Sequence, residues 1–313
     1  MSQEDKQFVK IMDNSMKKMS NGHLSAPLLF KEQRPRLPSN FGQAKHRTET
    51  LVKQLKNNHA KSEQFVEFMG KMFKNNHAEL APSDAQGDEV WYLPVFGVFH
   101  PKKPNKIRVV FDSAAKYQGT SLNDVLLTGP DLTNNLAGVL TNFRREKYAA
   151  MADVEQMFFN FEVHEEHRDF LRFIWFHEND ISKPLVEYRM RVHVFGNSPS
   201  PAVATYGMRK SVCSHDMKGE ECDEVCRYVR QNFYVDDGLV SKTDENELVD
   251  LIKETRNRLQ AGGSICLHKI VSNSPRVLSS FPQTDLAKDI TEIDFNGETP
   301  FIQKSLGMSW DVV

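Results

Sequence analysis

Up to about residue 80 the apolar positions recur at helical spacing. Leu51, Val52 and Leu55 form one such stripe, and Phe65, Phe68, Met69, Met72 and Phe73 form another. The intervening positions are polar and rich in lysine, so the segment predicts helices with one apolar face. Ala81–Glu89, with Pro82, Ser83 and Gly87, reads as a linker. Beyond it the period changes. Val90–Phe99 is apolar and aromatic, and Lys106–Phe111 (KIRVVF) alternates as a strand does; together they predict a hairpin around Pro101–Pro104. Gly129-Pro130-Asp131 reads as a helix start with Asp131 as N-cap, followed by the stripe Leu132, Leu136, Val139, Leu140 and Phe143.

Tyr148–Asp153 predicts a buried strand that runs into a helix or turn at Glu155. Phe170–Phe176 and Glu187–Phe195 alternate and predict a strand pair, and Ser200–Val212 predicts a helix begun at Pro199 and Pro201. Val229–Ser241 reads as two short strands around Asp236–Gly238. Asp244 with Glu247 forms a capping-box-like start for a helix carrying Leu248, Leu251, Ile252 and Leu259, which Gly262-Gly263 ends. Cys266–Val271 and Lys304–Trp310 complete the set as strands. The class is α+β, with antiparallel strands and helices packed on one face.

Composition adds bounds rather than detail. The 313 residues are 39% hydrophobic and 26% charged, enough for a core and against wholesale disorder. No run of about 18 apolar residues suggests a membrane span, and Met1–Lys10 has no apolar segment of the kind that opens a secretory signal. An intracellular location is expected. In that setting the four cysteines, Cys213, Cys222, Cys226 and Cys266, are expected as free thiols. Cys213, His215, Cys222 and Cys226 cluster, but without a C-x-x-C spacing zinc is the lesser reading. Net charge is −2, which by itself does not favour a nucleic-acid binder, but its distribution is uneven. Residues 101–120 hold five basic residues against one acid, whereas 151–180 hold eight acids against two arginines. That suits a protein gripping phosphates in one place and metal ions in another; two solvated faces fit equally well.

The sharpest chemical signal is Phe233-Tyr234-Val235-Asp236-Asp237-Gly238. Two like charges about 4 Å apart repel by about 1 kcal/mol in water and about 4 kcal/mol at an effective dielectric of 20. Such a pair at an apolar hairpin asks for a cation, although Asp-Gly is also an ordinary turn dipeptide. Asp153 ends an apolar strand, where an unpartnered acid is costly. Three carboxylates with few imidazoles suit Mg²⁺ or Mn²⁺, and can hold two ions for phosphoryl-transfer chemistry.

In order, the chain carries KIRVVFD (106–112), SLNDVLLTGPD (121–131), ADVEQMF (152–158), EYRM (187–190), FGNSPSPA (195–202), FYVDD (233–237), GGSICLHKIVSN (262–273) and LGMSWD (306–311). With NGH (21–23) and LPSN (37–40) ahead of them, these blocks resemble the reverse transcriptase of Bel-Pao LTR retrotransposons from about Asn21 onward. The resemblance implies a right-hand polymerase: a partly helical lead-in over 1–85, then fingers and palm over 86–313, the palm about 145–160 and 203–313. It implies catalytic Asp153, Asp236, Asp237 and Lys269, the three aspartates being the ligands of two Mg²⁺ or Mn²⁺ ions and the lysine a proton donor to pyrophosphate. It implies nucleotide contacts from Lys106, Arg108, Val154 (by its carbonyl), Phe158 (as sugar-sensing ring), Phe195 and Gly196. Trp310 resembles the start of the primer grip. The implied partners are an RNA or DNA template, a DNA or tRNA primer and deoxynucleoside triphosphates, with no membrane. The implied place is the cytoplasm, or a retrotransposon particle for an intact element. Family members often carry His-His-Pro where this chain has Val95-Phe96-Gly97, and the sequence stops before the family's thumb and ribonuclease H. A non-catalytic remnant that folds and binds nucleic acid is therefore the alternative expectation.

Overall fold

The computed structural model describes residues 1–83, 89–100, 103–213, 222–287, 302–306 and 308–311. The principal elements, in chain order, are α1 (Gln3–Ser15), α2 (Phe41–Asn57), α3 (His59–Lys74), β1 (Ala78–Leu80), β2 (Val95–His100), β3 (Lys103–Phe111), α4 (Leu136–Phe143) and β4 (Tyr148–Val154). They continue as β5 (Arg172–Phe176), β6 (Leu185–Met190), α5 (Ser200–Val212), α6 (Glu224–Gln231), β7 (Phe233–Tyr234) and β8 (Asp237–Lys242). The last are α7 (Glu245–Gly263), β9 (Leu267–Ser272), α8 (Pro275–Ser279), β10 (Ile302–Ser305) and β11 (Met308–Asp311). This is the mixed α+β class, with small antiparallel sheets.

The chain forms two compact units, and each is assembled from separated stretches. The first holds Met1–Lys17, Ser25–Pro130 and Phe161–Val203; the second holds Lys18–Leu24, Asp131–Asn160 and Ala204–Val313. In the first, α3 reaches the β2–β3 hairpin: Gln64 Oε1 accepts from the Ile107 amide at 2.7 Å. At Gly97 an added Cβ would lie 2.3 Å from Ile107 and 2.8 Å from Phe65, so the helix sits too close for a side chain there. The second sheet of this unit runs β1–β6–β5, antiparallel. All five residues of β5 are buried, so the apparent alternation of Phe170–Phe176 hides a strand covered on both faces. Its arginine is accommodated because Arg172 bonds Asp169 at 2.8 Å and Glu187 at 2.9 Å. Phe65 stacks on Trp175 with centroids 5.9 Å apart.

The second unit is built on a four-stranded antiparallel sheet, ordered β7–β8–β4–β9. One core cluster packs Val139 and Phe143 of α4 against Ala149 and Met151 of β4, Leu239 of β8, Val271 of β9 and Leu278 of α8. Trp310 meets Phe143 edge-on at 4.9 Å, a pair worth about 0.5–1.5 kcal/mol beyond the area it buries. Two local expectations are corrected. Helix α4 starts at Asn135, whose side chain accepts from Gly138 N at 3.1 Å, not at Asp131. Asp131 instead accepts from Thr133 N at 2.9 Å, an Asx-type turn that competes with helix entry. Val229–Gln231 belongs to α6 rather than to a strand. The cysteine reading is also corrected: Cys213 and Cys226 form a disulfide, with Cα atoms 5.5 Å apart, while Cys222 and Cys266 are free thiols. Cys213 follows the end of α5 and Cys226 lies near the start of α6, a proximity that a sequence spacing does not reveal. His215 of the supposed zinc cluster lies outside the described residues.

Candidate active site

Strand β4 ends its buried run at Ala152, so Asp153 emerges where the sheet meets solvent. The register places Asp237 of β8 directly opposite Asp153 on one side and His268 of β9 directly opposite on the other. Like charges facing each other across a ladder are destabilising without a partner. Here partners are present: Asp153 Oδ1 lies 2.7 Å from His268 Nε2 and accepts from Lys269 Nζ at 2.9 Å. Successive strand residues ordinarily face opposite sides. His268 and Lys269 nonetheless reach one carboxylate oxygen, because the register shifts between His268 and Val271 and Lys269 adopts φ +50°.

Asp236 shares the two-residue turn between β7 and β8 with Val235, whereas the Asp237-Gly238 dipeptide, a possible turn by sequence, opens β8. Val235 has φ +58°, a conformation in which a β-branched residue is strained. The Asp236 carbonyl accepts from Val154 N at 2.9 Å, which ties the turn to the end of β4. Burial pushes the Asp236 carboxyl above the usual carboxylate range; the Asp153 charge adds to this and Lys269 opposes it. Gly238 is the cross-strand partner of Phe233, and an added Cβ would lie 2.5 Å from that ring.

Three acids thus gather at one end of one sheet by strand register. Their oxygens are the hard donors that Mg²⁺ or Mn²⁺ prefers. They are not drawn into one coordination shell: among the described residues no group of three or more His, Cys, Asp and Glu side chains is placed to hold a metal ion. Lys269 supplies the positive charge at Asp153 instead. Phe158, in the 3₁₀ turn Met157–Asn160 that follows β4, is half-buried rather than a core residue.

Lys106, Arg108, Phe195 and Gly196 stand in the first unit. Lys106 and Arg108 are exposed on β3, and the Arg108 guanidinium lies 5.8 Å from the centre of the Phe195 ring. Phe195 is 53% exposed, unusual for so large an apolar ring. Its loop is held by Asn123, whose side chain donates to the Gly196 carbonyl and accepts from Ser198 N, both at 2.9 Å. Gly196 has φ +108°, open only to glycine without strain. An exposed ring beside a guanidinium is a surface on which a base can stack. Sequence reasoning missed His268 and Asn123. Both are ordinary polar residues in the sequence; only the β9 bulge and the folding of the 195–198 loop give them work.

No family model matches the sequence, and no curated protein matches it. Among solved structures the chain is similar to the foamy viral protease–reverse transcriptase, determined in complex with double-stranded DNA. The TM-score is 0.50 at 16% identity, over 85% of this chain and 40% of that one. The likeness is one of fold: the chain has a reverse-transcriptase-like fold and spans less than half the length of that protein.

Proposed function

We propose that this chain carries the nucleotidyl-transfer centre of an RNA- or DNA-templated DNA polymerase, of the Bel-Pao retrotransposon type, working inside the cell. The observation that carries the reading is the register pairing of Asp153 with Asp237, with Asp236 in the strained turn beside them. A fold gains nothing in stability from bringing three acids to one sheet end. Two bound divalent ions would there favour ionisation of a primer 3′-hydroxyl and offset charge on the leaving pyrophosphate. Asp153, Asp236 and Asp237 would hold them, with the Val154 carbonyl as a further oxygen, once the aspartate side chains turn inward. Lys269, on an exposed and flexible stem, would leave Asp153 and stand as proton donor to the pyrophosphate. Beside the aspartates, Phe158 would lie under the sugar of a deoxynucleotide; in the first unit, Lys106 and Arg108 would attract phosphate and Phe195 would stack on a base.

A second reading has one observation in its favour. With Lys269 already supplying a cation to Asp153, the chain is also a candidate for a folded relative that binds nucleic acid without extending it. Primer extension on an oligo(dT)-primed RNA template separates them. The first reading expects dTTP addition with Mg²⁺ or Mn²⁺ and none with a chelator. A folded protein that binds the primer–template yet adds nothing in either metal overturns it in favour of the second.

A further inference from the structure

We propose that the Cys213–Cys226 disulfide is a redox-sensitive clamp on the hairpin that carries Asp236, and that reducing it loosens the hairpin and slows nucleotide addition. The effect on addition rests on the polymerase reading; the clamp itself does not. The bond joins the residue after α5 to the first turn of α6, 13 residues on. Helix α6 has only 8 residues. Helices shorter than about 12–15 residues are marginal in water, so this one depends on what fastens it. Its other fastenings at that end are weak. Asp223 caps the helix by accepting from Cys226 N at 2.9 Å, and pairs with Arg258 of α7 at the exposed surface. Arg209 of α5 also reaches α6, but at the far end, donating to the Arg230 carbonyl over 3.3 Å. Tyr228, buried in the same helix, has a hydroxyl with no hydrogen-bond partner among the described residues, which is a cost to the helix.

The end of α6 is continuous with the hairpin. Asn232 alone separates it from β7. The Asn232 amide donates to the Tyr228 carbonyl at 2.9 Å, and its carbonyl accepts from Leu239 N at 2.9 Å. Its side chain donates to the Leu239 carbonyl at 3.2 Å. The Tyr228 and Phe233 rings lie 5.1 Å apart. Fraying of α6 is therefore passed to β7, β8 and the Val235-Asp236 turn, all within the second unit. Inside a cell such a bond meets thiol reductants, and its state follows the compartment. Cys213 is half-buried and Cys226 is 6% exposed, so attack falls on the Cys213 sulfur. A thiolate of a dithiol reductant forms a mixed disulfide with Cys213 and expels Cys226 as a thiolate. The second thiol of the reductant then attacks the reductant's own sulfur in that mixed disulfide and frees Cys213. Two electrons and two protons pass from the dithiol to the two cysteines, and the reductant leaves as a disulfide.

The test is hydrogen exchange over residues 226–241 of the full chain, read by mass spectrometry after oxidised glutathione and after dithiothreitol. Alkylation of the unfolded protein should find two reactive thiols in the oxidised state, Cys222 and Cys266, and four after reduction. Reduction should speed exchange across 226–241 about tenfold or more. This wild-type comparison needs no variant to fold. Cys213→Ala should exchange as reduced wild type does under both conditions, whereas Cys222→Ala should respond as wild type does. Reduction should also slow primer extension about threefold or more. Equal exchange in the two states, or four reactive thiols without reductant, overturns the clamp and leaves the polymerase reading standing. Faster exchange with unchanged extension overturns the link to nucleotide addition. Exchange that responds to reduction in a protein that extends no primer in either state keeps the clamp and overturns the polymerase reading.

Discussion

Val235 has φ +58° in a two-residue hairpin turn, where glycine or asparagine is the usual occupant. A non-glycine residue held there costs on the order of 1–3 kcal/mol and persists only where its surroundings over-determine it. Val235→Gly should therefore leave the melting temperature unchanged or raise it despite the lost side chain. It should slow nucleotide addition by loosening the turn that carries Asp236. A variant that is both less stable and equally fast would show the strain to be incidental. Phe158 belongs to the same scale. Under the proposed function, this half-buried ring on the turn after Asp153 would exclude a 2′-hydroxyl, and an unpaired buried hydroxyl costs on the order of 1–3 kcal/mol. Phe158→Ala should relax the preference for dCTP over CTP about tenfold or more in single-nucleotide incorporation; an unchanged ratio in a folded variant would remove Phe158 from sugar selection. That Asp153, Asp236 and Asp237 meet at one sheet end was legible because carboxylates at apolar strand ends violate burial rules. His268 was not, because nothing in the string LHK marks a bulge.

Among elements, strands and long helices declare themselves where one face is apolar and the ends carry caps. Ser200–Val212 and the α7 helix begun by Asp244 follow their sequence signals closely, with Asp244 accepting from Asn246 N and Glu247 N. The start of α4 does not, because Asp131 and Asn135 are both competent caps and only packing chooses between them. Glycine positions show where elements press together. At Gly262 in α7 an added Cβ would lie 2.0 Å from the Ser211 carbonyl oxygen at the end of α5. Backbone cannot yield as a side-chain tip can. Gly262→Ala should cost about 1–3 kcal/mol by overpacking. Gly138 in α4 has nothing within 4 Å, so Gly138→Ala should instead stabilise by about 0.5–1 kcal/mol through helix propensity. Thermal unfolding of the two variants checks both signs; a Gly262→Ala protein as stable as wild type would contradict the close approach of α5 and α7.

At the scale of the whole molecule, the interleaving of the two units was the least legible feature. Local periodicity reports which face of a segment is buried, not which distant segment covers it. The helical lead-in was readable as helices, yet nothing in its stripes says that α3 lies on the β2–β3 hairpin. The first unit also carries an acid-sensitive feature. His193 is buried and His167 half-buried, and desolvation holds both imidazoles near pKa 4 against an ordinary 6.5. His193 Nδ1 is buried without a partner, while His167 Nδ1 accepts from Leu28 N at 3.0 Å. The unfolded chain takes these protons near pH 6.5 and the fold resists them to about pH 4. Stability is then full above pH 6.5 and falls progressively toward pH 4, by about 3 kcal/mol for His193 alone. Denaturant unfolding of the wild type and of His193→Gln between pH 7.5 and 4.5 measures it, and the glutamine variant should show the shallower slope. Equal slopes would assign the acid sensitivity elsewhere.

The central claim is that Asp153, Asp236 and Asp237 act together on a nucleotide, and the most direct test is single-turnover primer extension by wild type and Asp153→Asn, with Mn²⁺ or Mg²⁺ supplied. Asparagine keeps the shape and removes the charge, so the sheet and its register should survive, as circular dichroism can verify. Wild type should show metal-dependent addition, and Asp153→Asn should lose at least about a thousandfold in rate, on the order of 4 kcal/mol in the barrier. Equal rates from the two folded proteins, or no addition by wild type in either metal, would contradict it.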